Sequence, residues 1–169
     1  MGMSKTSNKL HLGCGSKILP GYCNTDLENW SGKCDYVLDA RDLSIFPDNR
    51  FELVYTRQML EHIPPWDTMM ALKEWYRVLN PGGKVRISVP DLKQIFEGWL
   101  VTGETTENEA LKNIYGNTLP YEKRYKNRAH LTGFTFERLR RLLEEVGFVD
   151  VVQLEEKKLI LLVEATKGS

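Results

Sequence analysis

Two glycines and two aspartates have the residue types and positions that suit a small ligand. The turn Gly13-Cys14-Gly15 follows a short strand pattern that begins at Lys9, and Asp26 and Asp39 end two further short patterns. Glycine lets a backbone approach a ligand closely, and a carboxylate has two acceptor oxygens that suit ribose hydroxyls or an exocyclic amine. Each residue alone also fits an ordinary turn or strand end. At three successive strand ends, they together predict a site for an adenosine.

The spacing of these residues argues against a dinucleotide cofactor. A dinucleotide fingerprint needs a third glycine three residues after the second, and an acidic residue about 20 residues later. Ile18 holds the third glycine position here, and Asp26 comes only 11 residues after Gly15. There is also no P-loop lysine motif. A nicotinamide oxidoreductase on a similar sheet is therefore the weaker alternative.

Strand and helix patterns alternate along most of the chain. Apolar residues at positions 69, 72, 76 and 79 share one helical face, and Thr135 and Gly147 begin and end a second helix. A sheet whose successive strands are connected by such helices is mainly parallel and has helices on both faces. The sequence predicts a Rossmann-like α/β fold of about seven strands that ends in an antiparallel hairpin. The predicted strands span residues 9–14, 22–27, 34–39, 51–56, 85–89, 148–154 and 159–165.

Composition predicts one globular domain without a global electrostatic field. The chain has 169 residues, of which 41% are apolar and 27% charged, and its 23 basic residues balance 23 acidic ones. We expect a flexible segment at residues 1–8 and one domain at 9–169, with a polar, lid-like excursion at about 98–133 that contains a helix near 107–115. No apolar run reaches the roughly 20 residues that span a bilayer, so no membrane association is expected.

The cysteines predict a reduced, cytoplasmic protein. Cys14, Cys23 and Cys34 are odd in number, and their spacing matches no zinc pattern. We therefore expect free thiols and no bound metal.

Four segments together resemble the class I S-adenosylmethionine-dependent methyltransferases. The first motif and acidic second strand of that family are matched by KLHLGCGSKILPGYCNTDLE, and its third and fourth motifs by DARDLSIFPDNRFELVYTRQMLEHI. Its following helix, glycine turn and fifth strand are matched by WYRVLNPGGKVRISVPD, and its last helix and sixth strand by LRRLLEEVGFVDV. The likeness covers nearly all residues from 9 to 166 and is strongest with short, methyltransferase type 11-like chains that open with L-H-L-G-C-G.

The resemblance implies S-adenosylmethionine as the methyl donor and S-adenosylhomocysteine as the product. The glycine turn would lie against the methionine part of the donor, Asp26 would hold the ribose, and Asp39 with the backbone of Ala40 would read the adenine. Residues at the end of the fourth strand would flank the other side of the donor. The implied cofactor-binding residues are Gly13, Cys14, Gly15, Asp26, Leu27, Asp39, Ala40, Thr56 and Arg57.

The sequence departs from this family at three points near the glycine turn. His11 stands where an acidic residue usually helps to hold the methionine amino group, and Lys17 stands where a third glycine often occurs. Only six residues separate Gly15 from Tyr22, which is too few for the usual first helix. The cofactor pocket is therefore expected to be less covered than is common.

Methyl transfer needs chiefly the alignment of a nucleophile with the methyl–sulfur bond, and a general base where the acceptor is a hydroxyl or a protonated amine. Candidates for the base are Glu61, His62, Asp91 and, as first choice, His130 in the excursion. His62 also fits a turn before Pro64, and Asp91 also fits a helix cap.

The acceptor is expected to be a small polar molecule, such as a sugar or another anionic metabolite, and not a nucleic acid. The richest basic cluster contains Lys123, Arg124, Lys126 and Arg128, with Tyr121 and Tyr125 interleaved. This cluster is better explained as the solvent-exposed surface of a lid than as a groove that binds the phosphate backbone of a nucleic acid. One short patch gives few phosphate contacts. The alternative function is a cofactor-binding module without turnover that acts as a partner subunit. The oligomeric state is left open.

Overall fold

A seven-stranded sheet forms the centre of the structure. The computed structural model of the chain describes residues 7–116 and 129–168. The sheet has the order β3-β2-β1-β4-β5-β7-β6. Strands β1 to β5 pair in parallel, and β7 runs antiparallel to both β5 and β6. The strands are β1 Lys9–Leu12, β2 Cys23–Asp26, β3 Tyr36–Val37, β4 Phe51–Arg57, β5 Leu79–Pro90, β6 Phe148–Leu154 and β7 Ile160–Lys167. The predicted mainly parallel Rossmann-like sheet and its C-terminal hairpin are confirmed.

Within the described residues, four α-helices, a 3₁₀ turn and a π-helical turn connect the strands. The α-helices are α1 Thr68–Val78, α2 Leu92–Phe96, α3 Glu107–Tyr115 and α4 Phe136–Val146. A 3₁₀ turn at Leu60–His62 follows β4, and a π-helical turn at Glu97–Thr102 continues α2. Among the described residues, no helix is long and apolar enough to cross a bilayer.

Helix α1 packs on the sheet through a face centred on Trp75. The predicted stripe included Met69 and Tyr76, but these two side chains are only half-buried, whereas Ala71, Leu72, Trp75 and Val78 are fully buried. The Trp75 indole N–H donates a hydrogen bond of 2.8 Å to the carbonyl of Ala40, which satisfies its polar atom inside the core. This bond ties α1 to the loop that follows β3.

Helix α4 has the ends that its sequence predicts. The hydroxyl of Thr135 accepts a hydrogen bond from the backbone N–H of Arg138 at 3.3 Å, as an N-cap does. Gly147 ends the helix with φ of 115°, a conformation that side chains rarely adopt. Leu139 and Leu143 are fully buried and contribute to the same core cluster as Trp75.

The segment predicted as a polar excursion is followed by Phe134, which forms a β-bridge with Asp91 directly after β5. Helix α3 lies at the position that the sequence predicts. Gly116 and Ala129 form an isolated antiparallel bridge, and Phe134 forms a parallel one with Asp91. The basic cluster from Tyr121 to Arg128 lies outside the described residues. The lid-like role of residues 98–133 stays a prediction.

Candidate functional site

The glycine turn after β1 packs tightly on one side and is open on the other. A Cβ atom at Gly13, where φ is 68°, would lie only 2.3 Å from Cγ of Met59. A Cβ atom at Gly15 would meet nothing within 4 Å, and φ there is 53°. Gly13 therefore brings the turn against the segment that follows β4, and Gly15 faces open space in which a ligand can lie.

Asp26 is bonded directly to this turn. Its Oδ2 accepts a hydrogen bond from the backbone N–H of Gly15 at 2.8 Å, and its Oδ1 accepts one from Glu28 at 3.2 Å. Carbonyl oxygens and acidic groups at the ends of adjacent parallel strands form the crevice where such sheets bind ligands. The structure thus brings together Gly15 and Asp26, and the neighbouring Leu27 side chain is exposed at the same strand end.

Asp39 and Ala40 lie in the loop after β3, and both have partners inside the protein. Arg41 forms a bidentate ion pair with Asp39, with a shortest distance of 2.6 Å, and also binds Asp67. Hydrogen bonding to Arg41 holds the pKa of Asp39 below its usual range. Asp39 and Arg41 line a surface depression of about 590 Å³ together with Met70 and Glu74. The backbone N–H of Arg41 also donates to Oδ1 of Asp39 at 2.9 Å, so Arg41 supplies most of the hydrogen bonds that this carboxylate can accept.

The end of β4 carries polar groups that the protein does not satisfy. Thr56 is fully buried, and its hydroxyl has no hydrogen-bond partner among the described residues, as is true of Ser88 on the neighbouring β5. Arg57 is exposed. Gln58 follows with φ of 51°, a left-handed conformation that is strained for a side chain of this size. Strained backbone and orphaned buried groups are common at binding sites.

His11 lies in β1 as a neutral side chain. The Asn24 amide nitrogen donates to two backbone carbonyls, so the Asn24 oxygen is the acceptor for Nδ1–H of His11 at 3.0 Å. The His11 ring stacks on Tyr55, with ring centroids 5.3 Å apart. Burial lowers the pKa of His11. The residue that replaces the family's acidic side chain therefore carries no charge toward a methionine amino group at neutral pH.

The structure brings together three of the catalytic candidates. Glu61, His62 and His130 each present a ligand-type atom, and these atoms lie within 4.8 Å of one another. Nε2 of His130 is 3.9 Å from Oε1 of Glu61. Burial raises the pKa of Glu61 to about 8 and lowers that of His130. Neither carboxylate oxygen of Glu61 has a hydrogen-bond partner among the described residues.

Asp91, the remaining candidate, serves as the N-cap of α2. Its carboxylate accepts hydrogen bonds from the backbone of Lys93 and Gln94 at 3.0 and 3.3 Å, and from the Gln94 side chain at 2.9 Å. It is 5% exposed. These bonds favour the capping role over that of a general base.

Cys14 and Cys34 lie beside each other at the glycine turn. Their Sγ atoms are 3.1 Å apart, and all three cysteines are free thiols. Burial, followed by the hydrogen bond with Cys34, raises the pKa of Cys14. The sequence indicated free thiols but gave no signal for this pairing, because the two residues belong to separate loops.

Comparisons with known proteins identify the family and the fold of the chain. A family model described as a methyltransferase domain matches residues 8–154. Demethylmenaquinone methyltransferase of Listeria monocytogenes is 31% identical over 114 residues, which are 61% of this chain and 43% of that protein. The chain thus spans less than half the length of this relative.

Two solved structures illustrate the shared fold. An S-adenosylmethionine-dependent methyltransferase of Methanosarcina mazei is 22% identical, with a TM-score of 0.63 over 95% of this chain and 92% of that chain. A putative methyltransferase of Haloferax volcanii, solved in complex with the Trm112 methyltransferase activator, is 14% identical, with a TM-score of 0.64 over 100% of this chain and 86% of that chain. With a family model that covers most of its length and a sheet of matching topology, the chain belongs to the methyltransferase-domain family of class I S-adenosylmethionine-dependent methyltransferases.

Proposed function

We propose that this chain binds S-adenosylmethionine and transfers its methyl group to a small polar acceptor. The observation that carries the proposal is the hydrogen bond between Gly15 and Asp26, because it joins the methionine-side turn to the ribose-side carboxylate at adjacent strand ends. Gly13 and Cys14 complete the turn. The adenine would lie toward Asp39 and Ala40. The remaining donor contacts of the proposal are Leu27, Thr56 and Arg57.

The acceptor would approach from the side of β4. Met59 packs on Gly13 and is also the residue from which the Leu60–His62 turn begins, so Glu61 and His62 lie next to the proposed methionine site. His130, the first-choice base, joins them from the other end of the excursion. Polar groups at this position suit a hydroxyl or an amine that attacks the methyl carbon in line with the departing sulfur.

The chain has a formal net charge of zero, which gives a nucleic acid no long-range attraction. A sugar fits the polar strand ends as a small acceptor. The basic residues of the sequence that would suit an anionic metabolite, from Lys123 to Arg128, lie outside the described residues. The free thiols are compatible with the cytoplasmic location that the sequence predicts.

Calorimetry with S-adenosylmethionine and S-adenosylhomocysteine tests donor binding. We expect heat of binding with both, and no heat from the folded protein at millimolar ligand would overturn the proposal. NAD serves as the competing ligand, since the oxidoreductase alternative requires that it bind instead.

Transfer of labelled methyl groups is then measured on a panel of sugars, phosphorylated metabolites, RNA and DNA at moderate salt. Label in nucleic acid would overturn the small-acceptor part.

A binding module without turnover is the second candidate. Two features favour it: a buried histidine, His11, whose pKa is lowered by burial, stands at the position of the usual acidic residue, and the connection between Gly15 and β2 is short and contains no helix. Methyl transfer to any acceptor by the isolated chain would exclude this candidate.

A further inference from the structure

We propose that Glu61, His62 and His130 form a binding site for a divalent transition metal ion of the Zn²⁺ type. Their ligand atoms lie within 4.8 Å of one another, and Nε2 of His130 is 3.9 Å from Oε1 of Glu61. Ligands that lie about 2.1 Å from a tetrahedral Zn²⁺ are about 3.4 Å apart. Modest side-chain rotations would bring the three ligand atoms to these distances. Two imidazoles and one carboxylate are the ligands of catalytic zinc sites that keep a position open.

The two histidines are held in the tautomer that metal binding needs. Nδ1 of His62 lies 3.0 Å from the carbonyl oxygen of Ala129, and Nδ1 of His130 lies 2.8 Å from that of Asn113. A carbonyl can only accept, so each Nδ1 carries the proton and each Nε2 carries the lone pair. Metal-ligating histidines typically donate their other ring N–H to a backbone carbonyl in this way.

Glu61 supplies the second, independent observation. Its side chain is 1% exposed, and neither carboxylate oxygen has a hydrogen-bond partner among residues 7–116 and 129–168. A buried polar group without a partner is rare in a native protein and is commonly satisfied by an ion. A cation between Glu61 and the two imidazoles would satisfy it.

The backbone holds the ligands together across 67 residues of sequence. The carbonyl of Glu61 accepts hydrogen bonds from the N–H groups of Leu131 and Thr132 at 2.8 and 3.2 Å. The N–H of His130 donates to the carbonyl of Tyr115 at 3.1 Å. These backbone bonds fix His130 against the 3₁₀ turn, so the backbone positions of the ligands are preorganised and only side-chain rotations remain for metal binding.

The role of the metal, but not its binding, rests on the proposed function. The site lies one turn from Met59, which packs on Gly13. An acceptor hydroxyl bound at the open position would lose its proton to solvent more readily, because the cation lowers its pKa. A lone pair of that oxygen would form the bond to the methyl carbon, while the carbon–sulfur bond breaks and its electron pair stays on sulfur. The products are the methyl ether and neutral S-adenosylhomocysteine.

The test uses the full, tag-free chain after treatment with a chelator. Zn²⁺ is titrated by calorimetry, and Co²⁺ is added as a spectroscopic probe whose visible absorption reports tetrahedral nitrogen and oxygen ligands. We expect one site per chain and a rise of the melting temperature with Zn²⁺, because a ligand that binds only the folded state stabilises it. No binding of either ion by the folded chain would overturn the proposal.

Glu61→Gln is the decisive variant, because a neutral isosteric amide keeps the buried volume. We expect its metal affinity to fall at least about tenfold and the Zn²⁺-dependent rise in melting temperature to shrink, with His130→Ala showing the same loss. Glu107→Gln removes an exposed carboxylate on α3 and is the matched control, with unchanged metal binding. Unchanged metal affinity in Glu61→Gln would overturn the site.

Failure of the metal site and failure of the proposed function are distinguishable. Binding of S-adenosylhomocysteine without binding of Zn²⁺ or Co²⁺ overturns only the metal site. Metal binding that is weakened in Glu61→Gln, in a chain that binds no donor, confirms the metal site and overturns the proposed function.

Discussion

The two halves of the strand-end edge differ in how far their polar groups are already satisfied. On the half formed by β1, β2 and β3, the candidate groups pair with one another: Gly15 with Asp26, and Asp39 with Arg41. On the half formed by β4, β5 and the turn after β4, five buried polar atoms have no hydrogen-bond partner among the described residues. These atoms are the hydroxyls of Thr56 and Ser88, Nε2 of Gln58 and both carboxylate oxygens of Glu61.

This difference indicates two ways of preparing a binding site. Partly exposed groups that bond to one another are fixed in position by those bonds, and they can bind a ligand only through lone pairs that remain unused. Unpaired buried groups are held in place by the core at a cost, and that cost falls only when a ligand or an ion arrives. We therefore expect changes to paired groups to alter local geometry as well as ligand binding, and changes to the unpaired groups to act chiefly through a bound ligand or ion.

The largest effect is expected at the contact between the two halves. Gly13→Ala places a Cβ 2.3 Å from Cγ of Met59 and forces alanine to φ of 68°. Overpacking and backbone strain together should lower the free energy of unfolding by about 2–4 kcal/mol, measured by urea denaturation. Gly15→Ala is the matched control, because it shares the positive φ but meets no atom within 4 Å. Equal destabilisation of the two variants would show that Gly13 does not hold the halves together.

Asp26→Ala tests the paired half directly. The variant removes acceptors for the N–H of Gly15 and for the proposed ribose, so donor binding should weaken by about 1.5–3 kcal/mol, or roughly tenfold to a hundredfold. Calorimetry with S-adenosylhomocysteine measures the change. Circular dichroism checks the fold. Unchanged affinity in a folded variant would place the ribose elsewhere.

Asp91→Ala separates a capping role from a catalytic one. Loss of the N-cap of α2 should lower the free energy of unfolding by about 1–2 kcal/mol, because the first N–H groups of the helix lose their acceptor. We expect donor binding to be unchanged, and Asp91→Asn, which retains a capping oxygen, to recover most of the stability. Asparagine that fails to recover stability would contradict the capping role.

The smallest effect is expected from Asp39→Asn, which breaks the ion pair with Arg41. The pKa of Asp39 is lowered in the folded chain, so the pair stabilises the fold above the unfolded pKa, and this stabilisation is lost as the pH falls through the folded pKa. About a third of each side chain is exposed, so we expect a loss of about 0.5–1 kcal/mol at pH 7. The difference between the two proteins should vanish in acid. Urea unfolding at several pH values measures it, and a pH-independent difference would contradict the ion-pair origin.

The amino-acid sequence by itself determined the strands that form the sheet, and it predicted the residues that we propose for donor binding. Period-two strands, the stripe and caps of α4, and Asp26 a short distance after the glycine turn are all local patterns, and local patterns are visible along a chain. The parallel sheet followed from these patterns because alternating strands and helices have few compact arrangements. The centre of α1 was placed less well, because Trp75 is buried by the loop after β3 and not by helical periodicity alone.

Only the tertiary structure decided the acceptor side. The sequence marked Glu61, His62 and His130 singly, and its cysteine spacing predicted no metal. No pattern connects residues whose contact is made by hydrogen bonds between the 3₁₀ turn and the segment after Ala129. The burial of Glu61 without a partner and the single tautomer of each histidine are likewise properties of the packed chain. A site of this kind is assembled by contacts distant in sequence, and it therefore becomes visible only once the chain is folded.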